Sequence, residues 1–509
     1  MSGRRLPAVL RTDTFERPVN QDINTDILRP VQFNQRATRF VFDRKGVLDA
    51  NSQLNLKLLV SDSGNVGEAT GASLPSSCGV MSLIRRAFLT IGGRRVSNLE
   101  EVAHYNTWKR LHWSNEYRKG VAIPKQGGAD VIVGSMAKDI ATDSDGTILT
   151  SIKSRGFDAP YGVLGRESSE FAIDDDVDNA DTTLGRQTAE ETETSEAVSR
   201  QLGLTATSSP SFVIGLSQLI PFLIGVQLPL FAIREEVALN IEWSEDGNNS
   251  RFIVPSFNPL GNAIVPANCS STIVEADCFI MADYLFYPDQ MGELADEIMN
   301  KGGYDIPYLE VYTQQNFTSY AVGQRTNSYQ IAMGGKNVKH IIVQKQEPLA
   351  VDSVLKTNDG LYQSKAFRKG VSYQLQIDSQ NFYSRPVSNV GLQKTEADQV
   401  EGIPLQLCNY LYSYDGQVNA DGTSTDETLG LTDRTYNSLT QNLEAGNHAW
   451  LGVRIENSFG VGKRLSNLPM VYTETIDVKA PDASDRNVRF FVGTQRVLNI
   501  SQGIVNMIE

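Results

Sequence analysis

The sequence predicts an all-β protein made of two consecutive antiparallel domains, and three observations carry that prediction. Apolar residues alternate with polar ones at period two in many short segments; Leu54, Leu56, Leu58 and Val60 form one such set, and Val237, Leu239, Ile241 and Trp243 another. The 509 residues include 41 Gly and 19 Pro, many of them standing between those segments as turn formers. The strands fall into two batches on either side of a Pro/Asn/Gly-rich stretch, and the chain is long enough for each batch to bury its own core. The expected organisation is an N-terminal arm over 1–30 and a first β domain over 31–254. A linker over 255–271 and a second β domain over 272–509 follow. The first domain is expected to carry a long loop insertion at 114–210.

Residues 1–30 are polar and show no sustained period, which is why they read as an arm. Arg4, Arg5, Arg11 and Arg17 make it locally basic. Thr38–Arg44 reads as a strand with Phe40 and Phe42 on one face, and Gln53–Val60 as a strand with one buried and one wet face. The most informative stretch is 83–112, LIRRAFLTIGGRRVSNLEEVAHYNTWKRLH. Leu83–Ile91 supplies β-branched and aromatic residues, and Gly92-Gly93 can adopt the positive φ of a tight hairpin turn. Arg94–Ser97 returns as a short strand. Ser97 with Glu100 matches a capping box, so a helix is expected from about residue 98 to 112, with Leu99, Val102 and Ala103 as its apolar start.

Ser114–Pro210 has little regular pattern, and its centre, Glu170–Glu196, holds ten acids and one Arg. A connection of that length is expected to be an exposed loop, with Val131–Val133 and Ile148–Ile152 available for a small hairpin at its base. Leu202–Ile233 lacks any charge and has the apolarity of a membrane span. Pro221 and Pro229 interrupt it, Phe212, Ile214 and Leu216 alternate, and the expectation is buried strands and turns. In the second batch, Ile280, Ala282, Tyr284 and Phe286 share a face, and Pro288–Lys301 reads as a short helix with Met291, Leu294, Ala295 and Ile298 on one side. Strands are expected at 308–313, 327–333, 337–344, 371–377, 451–455, 469–477 and 487–495.

Composition narrows function mainly by exclusion. A net charge of −14 argues against bulk nucleic-acid condensation. The four cysteines, Cys78, Cys269, Cys278 and Cys408, match neither a zinc pattern nor a disulfide framework and are expected to be buried thiols. Met1–Leu10 lacks the apolar segment of a cleaved signal peptide. Four histidines, His104, His112, His340 and His448, leave little material for catalytic or zinc sites; His104 and His112 share a helix face only roughly. Gly460–Arg464 has the look of a phosphate loop but would need Gly at Asn457 and Ser or Thr at Arg464, so it reads as a turn. Asp174, Asp176 and Asp178 have calcium-loop spacing, and the loop fails at Asn179 and Gly185. Asn248, Asn268, Asn316 and Asn499 lie in glycosylation triplets of the kind that arise by chance. No catalytic, cofactor-binding or metal-binding residues are therefore assigned, and no enzyme activity is expected.

The order of these motifs resembles the double jelly-roll major capsid proteins of tailless icosahedral DNA viruses, in particular those of polinton-like viruses and virophages. LNLKLLV is similar to the family's second strand, and SLIRRAFLTIGGRRVSNLEEVAHYNTWKRL to its helix-bearing hairpin, with Tyr105 and Trp108 in the aromatic role and Gly92-Gly93 in place of the family's Asn-Gly turn. QLIPFLIGVQLPLFAIREEVALNIEW resembles the closing strand pair of the first roll. ADCFIMADYLFYPDQ resembles the opening of the second, and VSYQLQIDSQNFYSRP its central strand and turn. The resemblance implies two eight-stranded jelly rolls and a homotrimer forming a pseudo-hexameric capsomer. It also implies a place in the virion shell after assembly inside the host cell. The partners it implies are other capsomers and minor capsid, penton or cement proteins. The arm would face inward, towards an internal membrane or the genome. No small-molecule substrate and no cofactor are implied. The alternative from another class is a carbohydrate-binding or carbohydrate-active β-sandwich, which the abundance of acids and aromatics permits.

Overall fold

The computed structural model describes residues 21–66, 74, 78–110, 123–127, 139–142, 148–151, 211–244, 265, 268–288, 290–300, 303–318, 326–346, 371–388, 403–404, 436–437, 442–443, 451–457, 461–476 and 486–508. The alternating segments become strands wherever they are described. The first sandwich begins with β1 (Asp22–Leu28), β2 (Gln32–Phe33), β3 (Ala37–Val41), β4 (Val47–Leu48), β5 (Gln53–Asp62), β6 (Ile84–Ile91) and β7 (Arg94–Glu100). After helix α1 (Val102–Arg110) come a two-stranded hairpin of β8 (Asp139–Thr142) and β9 (Ile148–Ser151), then β10 (Ser211–Gly215), β11 (Val237–Trp243), β12 (Cys269–Ile273) and β13 (Phe279–Phe286). One sheet runs β1-β13-β5-β10, with β12 on β5 and β4 on β13. The other runs β2-β3-β11-β6-β7. Strands far apart in sequence are therefore neighbours, as in Greek-key connections.

Helix α2 (Met291–Asn300) leads into the second sandwich: β14 (Tyr304–Thr318), β15 (Thr326–Ile331), β16 (Asn337–Gln346), β17 (Val371–Ile377), β18 (Gln380–Asn381), β19 (Val387–Ser388) and β20 (Ile403–Pro404). A short pair, β21 (Tyr436–Asn437) and β22 (Asn442–Leu443), precedes β23 (Leu451–Arg454), β24 (Lys463–Arg464), β25 (Met470–Ile476), β26 (Arg486–Ser501) and β27 (Ile504–Ile508). The sheets are β14-β26-β16-β23, with β24 on β16 and β27 on β26, and β15-β25-β17-β19-β20, with β18 on β17. Their facing sides meet at Tyr329, Tyr472 and Phe490, whose rings lie 5.5–6.1 Å apart. Pairing is antiparallel throughout except between β19 and β20.

The expected core positions are buried. Leu54, Leu56, Leu58 and Val60 point inward, as do Val237, Leu239, Ile241 and Trp243. The Trp243 indole donates to Thr38 Oγ1 at 2.8 Å, which satisfies its one buried donor. The uncharged segment folds as β10 followed by short helical turns at Leu216–Leu219, Pro221–Leu223 and Leu230–Ala232, with most of its apolar residues buried. No helix among the described residues is long and apolar enough to cross a membrane. Cys78, Cys269 and Cys278 are buried; burial pushes the Cys278 thiol up to about 12.

Three sequence expectations are corrected. The arm was expected to run to residue 30, yet 22–28 is β1, paired along its whole length with β13. The second domain was expected from 272, but β12 and β13 add to β5 of the first sandwich, and the second begins at β14. Period two identifies a strand without naming its partner, and the partner here is more than two hundred residues away. The capping box does not form: β7 continues through Glu100, and Glu101, at φ 56°, turns the chain into a helix that starts at Val102. Ile148–Ser151 pairs with Asp139–Thr142 in a hairpin, and Val131–Val133 lies outside the described residues. Residues 1–20, most of 114–210 (with Asp174, Asp176 and Asp178), His112, Cys408 and His448 lie outside the described residues.

Candidate functional site

The feature that organises the molecule is the seam where the two sandwiches meet. From the first it takes β7, α1 and the turn at Pro221–Leu223; from the second, β14, β16, β26 and the β26–β27 hairpin. The buried apolar residues of both sandwiches form one continuous cluster through this seam.

The hairpin β6–β7 sets the geometry. Gly92 and Gly93 have φ of 57° and 76°, the doubly positive turn that a two-residue hairpin requires. Gly92 has a second role: a Cβ there would collide with the Glu235 carboxylate. That closeness lets Glu235 reach across. It pairs with Arg94 at 3.0 Å and accepts the Val505 amide at 3.1 Å through Oε2, while Arg94 also donates to the Val505 carbonyl. The Arg234 amide donates to Gly503 O at 2.9 Å. The turn of the first sandwich thus clasps the C-terminal hairpin of the second.

Further along, the Tyr308 hydroxyl donates to Val96 O at 3.1 Å, and its ring meets Phe222 edge-on at 4.7 Å. Thr313 Oγ1 donates to Glu100 O at 3.3 Å. Tyr105 packs on Phe491 at 5.6 Å and lies 6.2 Å from Trp108. Tyr105 is thus buried at the seam with Trp108 buried beside it, a role their sequence position did not disclose.

The seam also holds ionisable groups. The Asn98 amide donates to Glu310 Oε1 at 3.1 Å. Burial would raise the Glu101 carboxyl, but His104 at 3.0 Å, with Arg489 and Arg85, outweighs it and holds the group at about 2. His340 is buried with its ring against Gly493, where there is no room for a Cβ. Desolvation, with Lys109 and Lys339 adding to it, drops His340 to about 3, so it is neutral; desolvation lowers Lys109 to about 8.

His104 and His340 are both seam residues, and no cluster of three or more His, Cys, Asp or Glu able to hold a metal exists among the described residues. The segment resembling a phosphate loop is closed by the Val461 amide, which donates to Asn457 Oδ1 at 3.0 Å, and runs into β24 against β16.

No family model matches the chain, and no curated protein matches it. Solved structures do. A chain in the 3.5 Å cryo-EM structure of the Sputnik virophage aligns with TM-score 0.50 at 9% identity, covering 100% of this chain and 93% of that one. A chain of the PBCV-1 virus capsid gives TM-score 0.49 at 11% identity, covering 97% and 98%. The Faustovirus major capsid protein gives 0.48 at 9%, covering 97% and 92%. The class is defined at the level of fold: an all-β chain of two jelly rolls in tandem, matched from end to end by the virophage chain.

Proposed function

We propose that this chain is a major capsid protein that self-assembles as a trimer of pseudo-hexameric outline and tiles an icosahedral virion shell. The observation that carries the reading is the seam. A tile made of two sandwiches can build a regular lattice only if their mutual orientation is fixed, and here an apolar core, an aromatic pair and a polar clasp fix it within one chain. The end-to-end likeness of fold to a virophage chain supports the same conclusion.

The first-sandwich edge strand β1 supports assembly in a second way. Its alternation is inverted: Ile23 and Ile27 are 60% and 62% exposed on the outer face, while Asp26 turns inward to Lys45. Exposed strand edges are otherwise an aggregation liability, and a closed ring of copies covers them. The segment 114–210 is assigned to an outward tower. Asn106 Nδ2 donates to Gln218 O at 3.1 Å, so the helix before the segment stands close to the short helical turn that follows β10. The arm over 1–20 is assigned to the inner side, where its arginines would meet the genome or an internal membrane. Minor capsid proteins are the remaining partners. No enzymatic role is assigned, and the carbohydrate alternative gains no observation in its favour.

Negative-stain microscopy with light scattering tests this. The expected result is hexagonal particles of a mass near three times 56.0 kDa. Monomers across a wide concentration range would reject the assignment.

A further inference from the structure

Glu310 is the buried carboxylate of the seam that the shell-building reading does not use. It sits on β14, 5% exposed, opposite Thr494 of β26, and reaches across to β7 of the other sandwich. Oε1 accepts the Asn98 amide at 3.1 Å, whereas Oε2 is buried without a hydrogen bond. The groups acting on it are Arg496 from β26, Lys336 from the turn ahead of β16, and the Ser97 hydroxyl and Asn98 amide from β7. Lys336 is held over the Tyr312 ring, 3.5 Å from its centroid. Burial is what favours a neutral carboxyl here: a charge on Oε2 would stand in the closed seam away from water. We propose that Glu310 makes the seam a pH-sensitive joint, in which the two sandwiches hold together while its carboxyl is protonated and loosen along β7–β14 when it ionises.

Burial raises its pKa to about 7, against the opposing pull of Arg496, the Asn98 amide, the Ser97 hydroxyl and Lys336. The sign follows from linkage. A carboxyl with a folded value near 7 and an unfolded value of 4.5 contributes fully below 4.5, and the contribution is lost as pH climbs to about 7. That gap corresponds to a loss of roughly 300-fold in the folded-to-unfolded ratio. Neighbouring groups do not imitate this. Glu101, at about 2, stays charged above pH 4.5, and Lys109, at about 8, changes above the window. His340 works in the opposite direction: buried neutral at about 3 against an ordinary value of 6.5, it adds stability as pH rises to 6.5. The wild-type curve therefore mixes two trends, and the difference between wild type and Glu310→Gln isolates one.

The experiment measures urea unfolding of the purified full-length protein and of Glu310→Gln from pH 4.5 to 8. The advantage of the variant over wild type is expected to grow with pH up to about 7, by as much as roughly 300-fold, and then level off. A constant difference across the window would overturn the proposal. Hydrogen exchange of wild type alone provides a second reading that needs no variant. Protection of the Asn98 amide, corrected for intrinsic exchange, is expected to fall as pH passes 7, and unchanged protection would count against the joint. Both readings use the isolated protein, so they stand or fall separately from shell assembly.

Discussion

Two sheet edges of the first sandwich have opposite fates. β7, the end of one sheet, is covered: Val96 and Asn98 bond to β14, and Leu99 and Val102 beside it are buried. β1, the end of the other sheet, pairs with β13 on one side only and presents Ile23 and Ile27 to solvent. The difference teaches that the chain closes one sheet edge internally and leaves the other open. Burial of aromatics on β14 and α1 makes the first permanent, while the apolar rim of β1 is too narrow to be a core and wide enough to be a contact.

Breaking the covered edge is expected to have the largest effect. Tyr105→Ala removes a fully buried ring packed on Phe491 and should cost about 3–5 kcal/mol in chemical denaturation. Gly92→Ala comes next, at about 1–3 kcal/mol, because the left-handed φ and the Glu235 carboxylate both oppose a Cβ. It should also loosen the C-terminal hairpin, seen as proteolysis within 501–508. Glu235→Gln keeps the shape and removes the charge behind both the Arg94 pair and the Val505 hydrogen bond. That pair is partly exposed, so the loss should be about 0.5–1 kcal/mol and shrink in high salt.

The open edge should behave in the reverse manner. The double variant Ile23→Ser, Ile27→Ser is expected to change monomer stability by less than about 0.5 kcal/mol, since both residues are exposed. It should nevertheless lower the yield of oligomer in sizing experiments; full oligomer yield would place the intermolecular contact elsewhere. Deleting Ser2–Val19, which stops short of β1, should leave the oligomer intact and impair closed shells.

The same contrast explains what could be read from the residues. The Gly92-Gly93 hairpin and the β5, β11 and β17 strands were legible because local periodicity and turn chemistry decide them. The membership of β12 and β13 in the first sandwich was not, because alternation is the same whichever sheet a strand joins. Ser97 and Glu100 satisfied a short helix-start pattern while lying in a strand that the seam needs extended. Glu310, between Leu309 and Val311, carries no local signal of its role at the seam. Only the arrival of β7 from the other sandwich buries it.

The central claim is that the internal seam turns two sandwiches into one tile and that three tiles close a ring. Cryo-electron microscopy of the purified protein tests it most directly. The account predicts threefold particles with six sandwiches in a hexagonal outline and the same intersandwich angle in every copy. Single chains, or particles in which the two sandwiches of one chain take varied angles, would contradict it.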